Sequence, residues 1–368
     1  MTIAAHFFAS PQVDSYLYPV FLIIAKENPQ DEFIFLMDNS AEQLPGLPNN
    51  CKLIPVSPGL RNGLLMHYWY NFKLPAILRK HDVSALITET AVGCLRTKTP
   101  QFLFLKDTSF LQKKKEISNE YSFYIKKFFP RFFHKASAVL VAENFMMAKL
   151  LYKFPALQHK LSFAGHGLNV AYQPLPLAGR EALLNQHTEG HEYFLCECSP
   201  VTQPHIVNVL KAYSIFKKRL KSNMRLVLLL RDITREDCVK DFKNYKYRHE
   251  VEFIVHKSEA ETYSLVGAAY AFIHLPLLLI NGTIGLNAMQ CGVPLVTFDQ
   301  PDAHTLYDDA ALYATNNEKT IADNMMLLYK DETRRNEYIS KGNSLAATYN
   351  WPDVAHRTWQ TILSIIRD

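Results

Sequence analysis

The residues of this chain best suited to chemistry stand in turns that follow apolar runs. In the second half, Ala271-Phe-Ile-His-Leu-Pro ends in a turn containing Asn281, Gly282 and Thr283; a helix-forming segment follows, Gly292 stops it, and Val293 to Phe298 begins another apolar run. A β-α-β unit of this kind presents backbone N–H groups and the positive end of a helix just beyond its first strand, which suits a phosphate-bearing ligand. Doubly wound sheets contain several such units and most bind nothing, so Gly282 also reads simply as the residue that makes the turn. In the first half, Glu89 stands between Thr88 and Thr90 at the end of a strand-like run. A carboxylate there serves as a base toward an acceptor hydroxyl, or more plainly as a helix cap or a surface group. His166 precedes Gly167, and a backbone role is the plainer reading.

Other chemistries lack their residues. The chain has no Asp-x-Asp motif, no His-Glu-x-x-His, no P-loop and no Gly-x-Ser-x-Gly, so metal-dependent transfer, zinc hydrolysis, nucleotide triphosphate hydrolysis and serine hydrolysis are unsupported. Its six cysteines are scattered, mostly in apolar runs; Cys196 and Cys198 share a strand face without further ligands at zinc spacing, and all six read as reduced core thiols. The longest apolar run, Ala268 to Ile280, is too short to span a bilayer and contains His274 and Pro276. Met1-Thr-Ile-Ala-Ala-His has no basic region ahead of an apolar one, so a cytoplasmic protein is expected.

At 368 residues, 48% hydrophobic and 20% charged, the chain has material for two ordinary domains with ample cores. The net charge of +5 is uneven: residues 1–180 hold 20 Lys and Arg against 12 Asp and Glu, and residues 51–135 hold 15 against 5. A basic first half points to an anionic surface or substrate on that side. The excess is too modest, and too bare of recognition motifs, for nucleic-acid binding. Residues 111–135 interleave Lys and Arg with aromatics, and Tyr121, Tyr124, Phe128 and Phe132 recur at helical spacing. They read as core aromatics beside a solvated loop, or as a peripheral contact with an anionic membrane.

Strand-like and helix-like segments alternate along both halves. Strands are expected at Ile3 to Phe8, Glu32 to Met37, Lys52 to Val56, Ala85 to Thr88, Phe102 to Leu105, Ala138 to Val141 and Leu161 to Ala164. Helices are expected near Asp14 to Glu27, Tyr68 to His81, Asn119 to His134 with a break near Pro130, and Asn144 to Lys153. The pattern breaks between Tyr172 and His191, the candidate domain boundary, then resumes with strands at 193–198, 225–230, 251–255 and 271–275, a helix from Pro204 to Lys221, and a helical tail from Thr320. This alternation predicts parallel sheets with helices on both faces.

Two such halves followed by a helical tail resemble the GT-B glycosyltransferases, and the second half is similar to glycosyltransferase family 4. Tyr193-Phe-Leu-Cys-Glu-Cys-Ser-Pro through Leu210-Lys-Ala-Tyr213 resembles the segment that enters the family's second domain. Asn287-Ala-Met-Gln-Cys-Gly-Val-Pro stands where the family reads "EAMacGvPV", Asp309-Ala-Ala-Leu-Tyr313 at "gdAAlyv", Asn350-Trp351 at "sW", and His166-Gly167-Leu168-Asn169 at "nGvd". The likeness covers nearly the whole chain. It implies an α/β fold of GT-B type: two Rossmann-like parallel-sheet domains, over 1–175 and 190–350, facing a central cleft, with a C-terminal helix over 351–368 crossing back to the first. It also implies transfer of a sugar from a nucleotide sugar to a glycan or lipid-linked acceptor in surface-polysaccharide biosynthesis, without a metal or other cofactor.

The resemblance assigns site residues, and here the chain departs from the pattern. Where the family carries a Lys, usually with an Arg, on the loop after the first strand of the second domain, Ser199 to Asn208 has neither, and Thr202 and Gln203 occupy the place. The Glu-x7-Glu pair corresponds to Leu279 and Asn287, and the first-domain His to Lys106, followed by Asp107. Asn287 retains hydrogen-bonding capacity toward a ribose hydroxyl, which Leu279 lacks. Nucleotide and phosphate contacts are therefore expected from Thr202, Gln203, Asn281, Gly282, Thr283 and Asn287, and chemistry from Lys106, Asp107 and Glu89, with Lys106 as a replacement cation. The alternative implied by the same departures is an inactive relative that acts as a binding or partner subunit of an active transferase.

Overall fold

A crossover helix between two parallel strands returns the chain to the same edge of the sheet and covers its face, so alternating strands and helices build a buried parallel sheet. The computed structural model describes residues 1–7, 15–37, 46–56, 63–89, 91–106, 111, 120–200, 202–240, 242–276, 279 and 282–367. The chain divides into two units, Met1–Gly167 with Asn350–Asp368, and Leu168–Tyr349.

The first unit begins with β1 (Thr2–Phe7), α1 (Leu17–Glu27), β2 (Glu32–Met37) and β3 (Cys51–Pro55). A helical stretch then starts as α2 (Gly63–Tyr68), widens into a π turn over Trp69–Lys73 and continues as α3 (Leu74–Lys80). The wide turn stands just before Pro75, whose missing N–H breaks the ordinary ladder, and the Leu74 N–H reaches back to the Trp69 carbonyl instead. β4 (Ala85–Thr88), β5 (Gln101–Leu105), α4 (Glu120–Lys135), β6 (Ala138–Val141), α5 (Asn144–Lys153) and β7 (Leu161–Phe163) follow. The strands form one seven-stranded parallel sheet in the order β3-β2-β1-β4-β5-β6-β7. Ile3, Ala4, Ala5 and Phe7 of β1 are all buried, as a strand covered on both faces requires.

The second unit runs through α6 (Leu177–Thr188), β8 (Tyr193–Cys198), α7 (Gln203–Leu220), β9 (Arg225–Leu230), α8 (Arg235–Cys238), β10 (Val251–Val255) and α9 (Glu259–Ala268). It continues with β11 (Ala271–His274), α10 (Thr283–Gln290), β12 (Leu295–Phe298), α11 (Pro301–Tyr307), β13 (Ala311–Ala314), α12 (Glu318–Lys330) and α13 (Glu332–Ala347). Six parallel strands lie in the order β10-β9-β8-β11-β12-β13, the doubly wound order in which direction reverses between the first and fourth strands. One face is closed by α7 and α12 over Cys196, Cys198, Leu228, Ile273, Val296 and Phe298. The last helix, α14 (Trp351–Ile366), is capped by Asn350, whose side chain accepts from the Asp353 N–H, and belongs to the first unit. There it packs on α1, sets Trp351 edge-on to Tyr16 at 5.1 Å between ring centroids, and donates from Arg357 Nε to the Ala164 carbonyl at 2.8 Å.

Three expectations change. The Tyr172 to His191 segment contains α6, which packs on α9 inside the second unit. α4 continues through Pro130: the proline is exposed, while Phe129, Phe132 and Phe133 bury on either side of it and hold the helix together. Finally, Cys198 and Cys238 form a disulfide with Cα atoms 6.4 Å apart, so four cysteines rather than six are free thiols.

Candidate functional site

In the second unit, β8 and β11 are neighbours whose following segments lead to opposite sides of the sheet, which opens a crevice beyond their C-terminal ends. Thr202, buried, is committed to the turn that starts α7: its hydroxyl donates to the Glu197 carbonyl at 2.8 Å and accepts from the Ser199 N–H at 2.9 Å. Gln203 opens α7, and its amide points to the Cys238 carbonyl at 3.5 Å. Beyond β11, Gly282 sits where any Cβ would overlap the Leu306 side chain, and its carbonyl accepts from the Tyr307 hydroxyl at 3.0 Å. Close approach therefore requires glycine here, and Thr283 then begins α10. Asn287 Oδ1 is buried without a hydrogen-bond partner, and Leu279 is buried. Asn281 lies outside the described residues.

Sequence reasoning missed a charged group at the same rim. Strand side chains alternate, so while Cys196, Cys198, Ile273 and Val296 enter the core, Glu197, His274 and Thr297 share the opposite face. Arg231 follows β9, its N–H donating to the Cys198 carbonyl at 2.9 Å. Its Nη1 donates to Glu259 Oε1 at 2.8 Å, its Nε stands 3.7 Å from Glu197 Oε2, and that Nε makes no hydrogen bond. The guanidinium is thus held at one end, with 27% of its side chain exposed at the rim. His256 Nε2 lies 3.5 Å from Glu259 Oε1, extending the cluster. Burial raises the Glu197 pKa, against the pull of Arg231, and burial pushes His274 down to about 4, so its ring is neutral at pH 7. The signal in the sequence was a glutamate inside the apolar run Phe194-Leu-Cys-Glu-Cys198 and an arginine directly after Leu228-Leu-Leu230.

In the first unit, Glu89 and Lys106 follow the neighbouring strands β4 and β5. Glu89 accepts from the Ser15 hydroxyl and from the Tyr16 N–H, both at 2.6 Å, and so holds the approach to α1. The cap reading accounts for both oxygens of this carboxylate, whose pKa is raised by burial and opposed by those hydrogen bonds and by Lys106. Asp107 lies outside the described residues. His166 Nε2 sits 2.6 Å from Glu143 Oε1, and both side chains are buried. Among the described residues, no group of three or more His, Cys, Asp or Glu side chains is arranged to hold a metal ion.

Comparison with known proteins fits this geometry. Residues 191–344 match the family model described as glycosyl transferases group 1. A comparison with curated protein sequences finds no match. Among solved structures, a glycosyltransferase from Rickettsia africae superposes with a TM-score of 0.72 at 11% identity, covering 100% of this chain and 99% of that one. HepE of Anabaena in complex with UDP superposes with a TM-score of 0.70 at 14% identity, covering 99% of each chain. Sucrose-phosphate synthase from Thermosynechococcus elongatus does so with a TM-score of 0.72 at 12% identity, over 100% of this chain and 99% of that one. The chain therefore has the GT-B fold, two Rossmann-like parallel-sheet domains, and the match to the glycosyl transferases group 1 model lies within its second unit.

Proposed function

We propose that this protein is a glycosyltransferase that takes a sugar from a nucleotide sugar and passes it to a glycan or lipid-linked acceptor in surface-polysaccharide biosynthesis. One observation carries the reading: at the C-terminal rim of the second unit, where the loop after β8 lacks a cation, Arg231 supplies one from the end of β9. Glu259 fixes it, and its Nε has no hydrogen-bond partner. When a nucleotide diphosphate departs, negative charge grows on its terminal phosphate, and a cation held in place beforehand lowers the barrier. The backbone N–H groups at the starts of α7 and α10 add to the same field. The solved complexes of HepE with UDP and with UDP-glucose support a nucleotide-sugar donor.

A second reading, a non-catalytic binding or partner subunit, is favoured by one feature: Glu89 is occupied by the approach to α1 and is not available as a base. Calorimetric titration with UDP, GDP and ADP separates the two. The transferase reading requires saturable binding of at least one of them, weakened in Arg231→Ala. Absence of binding at millimolar concentration leaves the partner role.

A further inference from the structure

We propose that the Cys198–Cys238 bridge is a redox latch on the rim of the second unit: a dithiol opens it, and opening frees the arm that follows Arg231. The effect on nucleotide binding rests on the transferase reading; the release of the arm does not. The bridge joins the last residue of β8 to the last residue of α8. Cys198 leads directly into the Ser199 to Thr202 turn, and Cys238 ends the arm that runs on from β9 through Arg231. Little else anchors that arm. Arg231 and Ile233 are half-buried, Asp232 and Thr234 to Asp237 are exposed, and Cys238 alone of α8 is buried. Thr234 caps α8 from within, its hydroxyl accepting from the Asp237 N–H at 3.1 Å, and Asp232 holds a left-handed φ of 55°, which costs a residue other than glycine energy. Arg235 adds a contact over the Phe253 ring at 4.4 Å. A segment with so little buried surface opens locally at low cost once its covalent tie is cut.

Both bridged cysteines are buried while the latch is closed, so attack follows outward movement of α8. A thiolate of the dithiol then attacks Cys238 Sγ and displaces the Cys198 thiolate, and the second thiol of the reagent displaces Cys238 in turn. The protein gains two electrons and two protons as two thiols, and the reagent leaves as a disulfide. Exchange with an added small disulfide runs the same steps backward. Cys196 shares the inner face of β8, but burial raises its thiol pKa, so it does not compete as a thiolate. With the latch open, Arg231 keeps Glu259 and the Cys198 carbonyl as partners, while the arm beyond it moves and the Gln203 amide loses the Cys238 carbonyl. A cation less fixed in advance holds a diphosphate more weakly.

Hydrogen exchange read by mass spectrometry on the whole protein, oxidised and in dithiothreitol, tests the latch directly. Amides of 232–240 exchange about tenfold or more faster in the reduced form, while β12 and α12 keep their protection. Oxidised glutathione restores the slow exchange. The double variant Cys198→Ser, Cys238→Ser exchanges fast in this segment under both conditions, and circular dichroism matching wild type confirms its fold. Calorimetry with UDP then gives an affinity about fivefold lower for the reduced protein and for the double variant. The proposal falls if 232–240 exchanges alike in the two redox states. It falls also if reduction loosens the whole second unit, the outcome for a bridge that merely supports the fold, or if the arm is released while UDP affinity stays the same. Release of the arm in a protein that binds no UDP in either state keeps the latch and overturns the transferase reading instead.

Discussion

At the scale of single residues, Glu197 and Arg231 make opposite demands. Burial favours the protonated carboxyl of Glu197, and Arg231 at 3.7 Å favours the charged one; burial is the larger effect, so the pKa lies above its ordinary 4.5. The unfolded chain releases this proton near the ordinary value, whereas the folded chain holds it to higher pH, so the folded state binds more protons between the two. Stability from this group is present at low pH and is lost as pH rises through the raised value. Glu197→Gln keeps the shape without the charge, so the variant melts above wild type at neutral pH and alike well below pH 4.5; a lower melting temperature at pH 7 means that the ion pair outweighs burial. Arg231→Ala removes a charged donor and weakens nucleotide binding about tenfold to a hundredfold in calorimetry, with Arg231→Lys between the two. The turn at Gly282 was legible in the sequence because a backbone constraint leaves a glycine behind. The Glu197 and Arg231 cluster was not, because it depends on two strands 32 residues apart lying side by side, with Leu195 opposite Val227.

Between elements, the junction of α10 with α11 turns on the absence of one methyl group. A Cβ at position 282 would overlap Leu306, so Gly282→Ala costs about 1–3 kcal/mol in denaturant unfolding, as overpacking typically does. Adding Leu306→Ala makes room, and the double variant is more stable than the sum of the two single losses; strict additivity would show that the clash is relieved elsewhere. The tie between β8 and α8 is covalent, so alkylation of the unfolded, unreduced protein labels the four free cysteines, and prior reduction exposes Cys198 and Cys238 as well. Six labels without reduction exclude the bridge. The strands around it read clearly as apolar runs, but pairing of cysteines 40 residues apart is set by packing that a sequence does not display. α6 escaped for a related reason: only Leu184 and Thr188 of its twelve residues are buried, so it carries little apolar periodicity.

On the scale of the whole molecule, both sheets follow from one local rule, the strand-helix alternation, which is why the two-domain fold was readable throughout. What alternation does not encode is where the chain's last helix belongs. α14 follows the second unit in sequence but completes the first: Trp359 faces Phe33 at 6.0 Å, Val354, Ala355 and Ile362 are buried, and Gly167 lies so close to the Trp351 ring that a Cβ there would overlap it. The first unit thus lacks part of its core until the final residues arrive, while 168–349 is complete without them. Ending the chain at Tyr349 should therefore unfold the unit far from the cut in sequence and spare the nearer one. Limited proteolysis of the truncated protein is expected to degrade residues 1–167 and leave a resistant fragment close to 168–349, whereas the full chain resists in both parts. Survival of 1–167 after truncation would show that α14 only covers a surface already able to fold alone.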